Sequence, residues 1–379
     1  MLHERYERLA QMDWWQQHKV SGAHAIVGGA GALGNEVVKN LVLMGWGNVT
    51  IVDRDTIEPS NLTRSIFFRE GDVGRPKAQV LEREAKLLNP HCTVRGLHGD
   101  IRVVLGTGMA HRSDIIFGCF DNVGGRLALN DLAGKADRLY LDGGLTTWEG
   151  TVTSFLASAG PCYSCGLTYE DFKDLNLRRS CPAYAKRAAA AAGIPTTAPL
   201  ASVTAACMVQ QALKWIHGLN TKPHLTLGTQ IRFDLAFDRF WKYGLPMNPE
   251  CLLHPQAQTA IRDTGLSSAS SWREILNYWQ EQLSSEVTIH LPVSIVESCT
   301  CSACNTTHNI HKASVEIAEY GCPVCGSPAI PTYVNQITKS QDWLELSPDR
   351  TNYPKLAWLS AVEGDQELIF ELEEANRNS

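Results

Sequence analysis

Phosphate chemistry is the first thing the residues of this sequence could do together. Gly29-Ala30-Gly31-Ala32-Leu33-Gly34 forms a GxGxxG turn between an apolar run, AHAIVG, and a helix-like stretch, GNEVVKNLVLMG. Backbone without side chains lets a phosphate approach the N–H groups at the positive end of a helix. Asp53 closes the next apolar run about twenty residues on, where a carboxylate can accept both ribose hydroxyls. These features alone suit NAD as readily as ATP, and a glycine turn also serves tight strand–helix packing. The residues that follow separate the readings: RDTIEPSNLTRSIFF and GDVGRPKAQ place Asn61, Arg64 and Lys77 in one short span. Hydride transfer needs no such cluster, whereas attack on an α-phosphate requires neutralisation of the leaving pyrophosphate by Arg, Lys and Mg²⁺. Asp121, ending SDIIFGCFD, is the candidate carboxylate for that magnesium. Singly each charge reads as a solvated surface residue; together, at strand ends, they point to a nucleoside triphosphate.

The cysteines suggest a second chemistry. Most of the twelve fall in close pairs, which in a cytosolic chain speaks for metal or catalysis rather than disulfides. Cys162-Tyr-Ser-Cys165 is a knuckle, either half of a zinc site or two buried thiols. Cys301-Ser-Ala-Cys304 and Cys322-Pro-Val-Cys325, seventeen residues apart, have zinc-ribbon spacing. Four thiolates leave no open position, so that zinc is expected to be structural. Cys299, His308 and His311 are expected to be bystanders or outer neighbours. The ribbon reads either as a fold staple or as a docking surface for a protein. Cys181, in LRRSCPAY, follows Arg178 and Arg179, cations that favour a thiolate; it is a nucleophile or an ordinary loop cysteine. Cys92, Cys119 and Cys207 sit in apolar or helical surroundings that suit a core.

Elements must hold these residues in place. Residues 23 to 142 alternate short apolar runs with helix-like stretches, which predicts α/β architecture with a Rossmann-like, doubly wound, mostly parallel sheet. The pattern then loosens, with a loop crossing the domain expected over 166–195, before a helix through VTAACMVQQALKWIHG. HLTLG and IRFDLAF read as strands. Composition turns polar in DTGLSSASS, so a first domain is placed at 1–260 and a C-terminal extension at 270–379, the ribbon occupying 299–326. That extension begins with a helix, SSWREILNYWQEQL, and ends in a strand-like ELIFELE. The 379 residues are 44% hydrophobic and 20% charged, and no apolar run approaches the ~18 residues of a membrane span. MLHERYERLA carries charge where a signal peptide is apolar, so a cytoplasmic location is expected. A net charge of −6 without a Lys/Arg block predicts neither nucleic acid nor anionic membrane as partner.

The glycine loop, the strand end DRDTIEPSNLTRS, the following GRPK and the strand end FDN resemble the ThiF, MoeB, HesA and ubiquitin-activating superfamily, over roughly residues 3 to 256. Two positions depart from its pattern: Ala32 replaces the second glycine of the usual GG pair, and Ser65 follows Arg64 where glutamine is common. The resemblance implies ATP-dependent adenylation of the C-terminal carboxylate of a ubiquitin-like or sulfur-carrier protein, with Asp53 on the ribose, Asn61, Arg64 and Lys77 on the phosphates, and Asp121 at the metal and attacking carboxylate. It implies a homodimer in which Arg8, of Arg5-Tyr6-Glu7-Arg8, reaches the other copy's triphosphate. It closes the first zinc site with three thiolates and one imidazole, through Cys251 and His254 of Asn248-Pro249-Glu250-Cys251-Leu-Leu-His254. It makes Cys181 the acceptor of the activated carbonyl, although some members dispense with that cysteine, and a conjugating enzyme could follow. Three other readings stay open: sulfur-carrier activation for thiamin or molybdopterin-type synthesis, an NAD-dependent oxidoreductase, and an inactive nucleotide-binding zinc-ribbon scaffold.

Overall fold

In the first unit, apolar runs too continuous for a half-exposed strand become strands covered on both faces. β1 (His24–Gly28) buries Ala25, Ile26 and Val27 completely, as the inner strands of parallel sheets do. The computed structural model describes residues 4–171, 173, 195–219, 227–251, 253–258, 260–283, 286–314 and 320–375. Cys181 and most of the expected crossing loop lie outside them. The chain divides into two compact units: Met1–Ile101 with Ala110–Leu167 and Ala192–Ala257, and Arg102–Met109 with Thr168–Ala191 and Gln258–Ser379. No helix among the described residues is long and apolar enough to cross a membrane.

The first unit carries one sheet built from β1, β2 (Asn48–Asp53), β3 (Thr93–His98), β4 (Ile115–Gly118), β5 (Leu139–Leu145), β6 (Glu149–Phe155), β7 (Thr229–Asp234) and β8 (Arg239–Gly244). Their spatial order is β3-β2-β1-β4-β5-β6-β7-β8; the first five are parallel and the last three antiparallel. The helices in chain order are α1 (Gln17–Gly22), α2 (Ala32–Leu43), α3 (Lys77–Leu88), the short α4 (Ile101–Val104) and α5 (Thr107–His111), most of whose residues fall in the second unit, then α6 (Val123–Lys135) and α7 (Ala198–Ile216). α2 and α7 meet through Val37, Val38, Leu41 and Val42 on one side and Ala205, Met208, Val209 and Ala212 on the other, all in one buried cluster. Thr197 caps α7 by accepting from Leu200 N at 3.4 Å.

The antiparallel part differs in detail from its sequence reading. Of the expected strand HLTLG, residues 224–226 lie outside the described residues; Gly228 takes a left-handed φ of 64° in a turn, and β7 follows it from Thr229. β8 escaped notice because all six of its residues are exposed, so no buried face imprints an alternation on the sequence.

The second unit holds α8 (Trp272–Gln282) against strands β9 (Ile261–Arg262), β10 (Thr288–Cys301), β11 (Thr307–Ala313), β12 (Ala329–Ile337), β13 (Trp358–Glu363) and β14 (Gln366–Glu371). The order is β11-β10-β13-β14-β9, with β12 also paired to β10. Ser271 and Glu274 form a reciprocal capping box at the start of α8. Its Trp272, Ile275, Leu276 and Trp279 share a core with Ile289, Leu359 and Phe370. β10 is fourteen residues long; one end pairs with β13, and the other carries the first cysteines of the ribbon.

Candidate nucleotide site and two metal centres

A parallel sheet opens a crevice where its strand order reverses, beyond the C-terminal ends of the two strands that leave in opposite directions. Here those are β1 and β4, side by side with Gly28 opposite Gly118. The glycine loop begins at that edge. Gly29 takes a φ of 99°, and a Cβ on it would sit 2.7 Å from the carbonyl oxygen of Cys119. A Cβ on Gly34 would run into the carbonyl oxygen of Gly29, so these two glycines serve the turn and its packing. Gly31 is different: a Cβ there would meet nothing within 4 Å. It is the N-cap of α2, and no side chain caps that helix start, which leaves the N–H groups of the first turn to whatever enters the crevice.

The charged residues follow from the ends of neighbouring strands. Asp53, at the end of β2, is buried; its carboxylate accepts from Ala30 N at 2.6 Å and from Asp55 N at 2.7 Å. Burial pushes its pKa up, and the nearby charge of Lys77 pulls the other way. Lys77 opens α3 with a side chain only 12% exposed, its Nζ 3.0 Å from Asp55 Oδ2. Asn61 Oδ1 accepts from Glu58 N at 2.9 Å, and Arg64 Nη1 donates to Ser60 O at 2.9 Å, so both are engaged within their own 3-10 turn, Pro59–Thr63. Asp121 follows β4, exposed, with Oδ1 accepting from Asn122 Nδ2 at 3.3 Å; Asn122 in turn caps α6 by accepting from Gly125 N at 2.8 Å. Gly29, Gly31, Gly34, Asp53, Lys77 and Asp121 are thus carried by one edge of the sheet.

Arg8 lies elsewhere. Two residues before it, the Tyr6 hydroxyl accepts from Asn89 Nδ2, and the same Nδ2 donates to Val42 O, both at 2.8 Å. Val42 and Asn89 mark the C-terminal ends of α2 and α3, whereas Gly31 and Lys77 mark their starts. A twelve-residue helix spans about 18 Å, so Tyr6, which anchors the segment carrying Arg8, sits about a helix length from the crevice of its own chain.

Sequence reasoning overlooked a buried pair beside Asp121. Arg126, on α6, places Nη1 3.2 Å from Asp142 Oδ2 and donates through Nε to Phe120 O at 2.9 Å and through Nη2 to Gly143 O at 3.0 Å. Tyr140 donates to Asp142 Oδ1 at 2.8 Å. Burial raises the Asp142 pKa, opposed by Arg126. The guanidinium therefore ties the residue preceding Asp121 to the middle of β5. An arginine within VGGRLALN and an aspartate within RLYLDGG were the available signals, each a charge in apolar company.

The cysteines converge in two groups, in each of which the donor atoms lie within 4.8 Å of one another: Cys162, Cys165, Cys251 and His254, and Cys301, Cys304, Cys322 and Cys325. In the first, Cys162 Sγ is 3.7 Å from Cys165 Sγ, which is 3.6 Å from His254 Nδ1. His254 Nε2 lies 3.0 Å from Ala157 O; a carbonyl there takes the ring proton and leaves the Nδ1 lone pair for a metal. In the second, the Cys301–Cys325 and Cys304–Cys322 sulfurs are each 3.5 Å apart. A zinc tetrahedron with bonds of ~2.3 Å has sulfurs about 3.8 Å apart, so both donor sets fit zinc.

The ribbon's two knuckles repeat one backbone design. Asn305 N donates to Cys301 O at 2.9 Å and Gly326 N to Cys322 O at 2.8 Å, and both residues have positive φ, 54° and 71°. Cys301 N and Cys322 N donate to Thr306 O and Ser327 O at 2.9 and 2.8 Å. His308 reaches the group through Thr306, with Nε2 3.1 Å from its hydroxyl, while His311 stacks on Trp343 at 5.3 Å.

With this geometry in view, comparison with known proteins is decisive. The ThiF family profile matches residues 3–253. The chain belongs to the ThiF family. It is 29% identical to the sulfur carrier protein adenylyltransferase of Thermus thermophilus, over 65% of this chain and 89% of that one. With the molybdopterin-synthase adenylyltransferase of Escherichia coli it shares 27% identity over 65% of this chain and 94% of that one. It is 30% identical to SUMO-activating enzyme subunit 2 of Dictyostelium discoideum, over 43% of this chain but only 25% of that much longer protein. A crystal structure of E. coli MccB with ATP has the same fold, with a TM-score of 0.53 at 23% identity over 66% of this chain and 74% of that one. The family match ends before the ribbon begins.

Proposed function

We propose that this ThiF-family chain binds Mg-ATP at the β1/β4 crevice and joins AMP to the C-terminal carboxylate of a ubiquitin-like or sulfur-carrier protein, releasing pyrophosphate. The observation that carries it is the uncapped start of α2 at Gly31, flanked by the buried Asp53 and the nearly buried Lys77. The relatives named as adenylyltransferases support the same reading. A partner's carboxylate is already nucleophilic, so the work left to the protein is alignment and charge stabilisation. Each Asp53 oxygen keeps a lone pair for a ribose hydroxyl. Lys77 faces the phosphates, and Arg64 joins it by leaving Ser60 O, with Asn61 beside it. Asp121, exposed and steadied through Phe120 and Arg126, would hold Mg²⁺, which when bound neutralises phosphate charge. Isothermal titration tests the nucleotide: binding of Mg-ATP with no response to NAD is expected, and the reverse selects the oxidoreductase.

The anchoring of the segment carrying Arg8 at the far ends of α2 and α3 supports a homodimer in which Arg8 serves the other copy. Mixing Arg8→Ala with Lys77→Ala protein should restore about a quarter of wild-type exchange activity, since half the dimers are hybrid and each hybrid has one complete site. No recovery after demonstrated subunit exchange counts against the shared site.

Cys181 is proposed to take the activated carbonyl from AMP as a thioester, handing it to a conjugating enzyme or a sulfur donor. Adenylation and transfer are separable, so Cys181→Ser should keep pyrophosphate exchange and lose any enzyme–partner adduct that added thiol cleaves by acyl transfer. An adduct that persists assigns the step to another cysteine. Both metal centres are proposed to hold structural zinc, which suits a reducing cytoplasmic setting.

A further inference from the structure

We infer that Asn35 is a positioning residue that aims the phosphate-facing N–H groups of the glycine loop and fixes them to the segment bearing Arg64. Asn35 is fully buried in the first turn of α2, where an amide side chain has no packing advantage over an apolar one. All of its hydrogen-bonding atoms are committed to backbone. Nδ2 donates to Ala30 O at 2.8 Å and to Gly31 O at 3.1 Å, and Oδ1 accepts from Phe67 N at 3.1 Å.

The peptide plane turns these bonds into an orientation. In a trans peptide the carbonyl of one residue and the N–H of the next point in opposite directions. Holding Ala30 O and Gly31 O against Asn35 therefore turns Gly31 N–H and Ala32 N–H away from Asn35, out of the helix interior. The same amide anchors Phe67, three residues beyond Arg64, so the two segments proposed to touch phosphate share one support. Asp53, through Ala30 N, steadies the loop from the other side. The sequence motif gives no hint of this, because position 35 falls just after the last glycine, where the pattern specifies nothing.

The inference rests on the proposed nucleotide site, and its test separates the two. Parent protein, Asn35→Ala and the milder Asn35→Ser, which keeps one hydroxyl donor in a smaller volume, are titrated with Mg-ATP and with adenosine. Mg-ATP affinity is expected to fall by about tenfold or more in Asn35→Ala, the scale of losing a hydrogen-bonded alignment toward a charged group, with adenosine affinity changed less than twofold. Asn35→Ser should fall between, and it is the variant read if Asn35→Ala does not fold. Parallel loss for both ligands, which a general loosening would produce, overturns the inference, as does unchanged Mg-ATP affinity. A parent that binds neither ligand ends the nucleotide reading, and this inference with it.

Discussion

Lys77→Ala is expected to lower ATP–pyrophosphate exchange by about 10²–10³-fold, the usual scale for removing one preorganised charge from a developing anion. The lysine starts α3 at the edge where β1 and β2 end, with a side chain only 12% exposed and Asp55 as its ion-pair partner at 3.0 Å. That partner is itself largely exposed, so the pair adds little stability and the substitution should leave folding intact. Lys77→Arg is expected to recover little, because a planar fork cannot replace a compact ammonium in a partly closed position. Exchange rates for the three proteins, read beside their melting temperatures, check this. Wild-type activity in Lys77→Ala would remove the residue from the phosphate site.

The second large effect concerns zinc. Cys322→Ser is expected to reduce the metal content from two zinc ions per chain to one, since the two four-donor groups share no residue. The loss should be severe locally. Zinc binding to small structural modules is worth ~10–16 kcal/mol, and the ribbon's own apolar cluster is little more than Val296, Ala329 and the cysteines themselves. Limited proteolysis should then open the chain between residues 301 and 329, while the Trp272–Trp279 core persists. Exchange should stay within twofold of wild type, because no residue assigned to the nucleotide site belongs to the second unit. Metal analysis and a digestion time course measure both outcomes, and a variant that keeps two zinc ions would contradict the four-thiolate assignment.

The placement of the motif and strand-end residues was legible in the sequence because it depends on local chain order. Gly29, Asp53 and Asp121 each follow an apolar run, and a parallel sheet brings the ends of β1, β2 and β4 to one edge whatever the loops do. The ribbon's spacing was legible for a similar reason: each CxxC is a local turn, and only the pairing of the two is long-range. What stayed hidden depends on backbone bonds without periodic signatures. Asn35 reads as one more polar residue on a helix, although it is buried and holds three backbone groups. Arg126 and Asp142 are separated in sequence by the end of α6 and the start of β5, and nothing local announces their contact. β8 shows the opposite failure, a strand whose exposed residues leave no pattern to read.

The central claim is that a partner's terminal carboxylate attacks the α-phosphate of ATP. Exchange of labelled pyrophosphate into ATP should therefore be measured with a ubiquitin-like or sulfur-carrier protein, and again with the same protein amidated at its C-terminus. Exchange that appears with the free carboxylate and vanishes with the amide is the expected result. Exchange equally fast with both, or ATP bound but never turned over with any free carboxylate partner, would contradict the account.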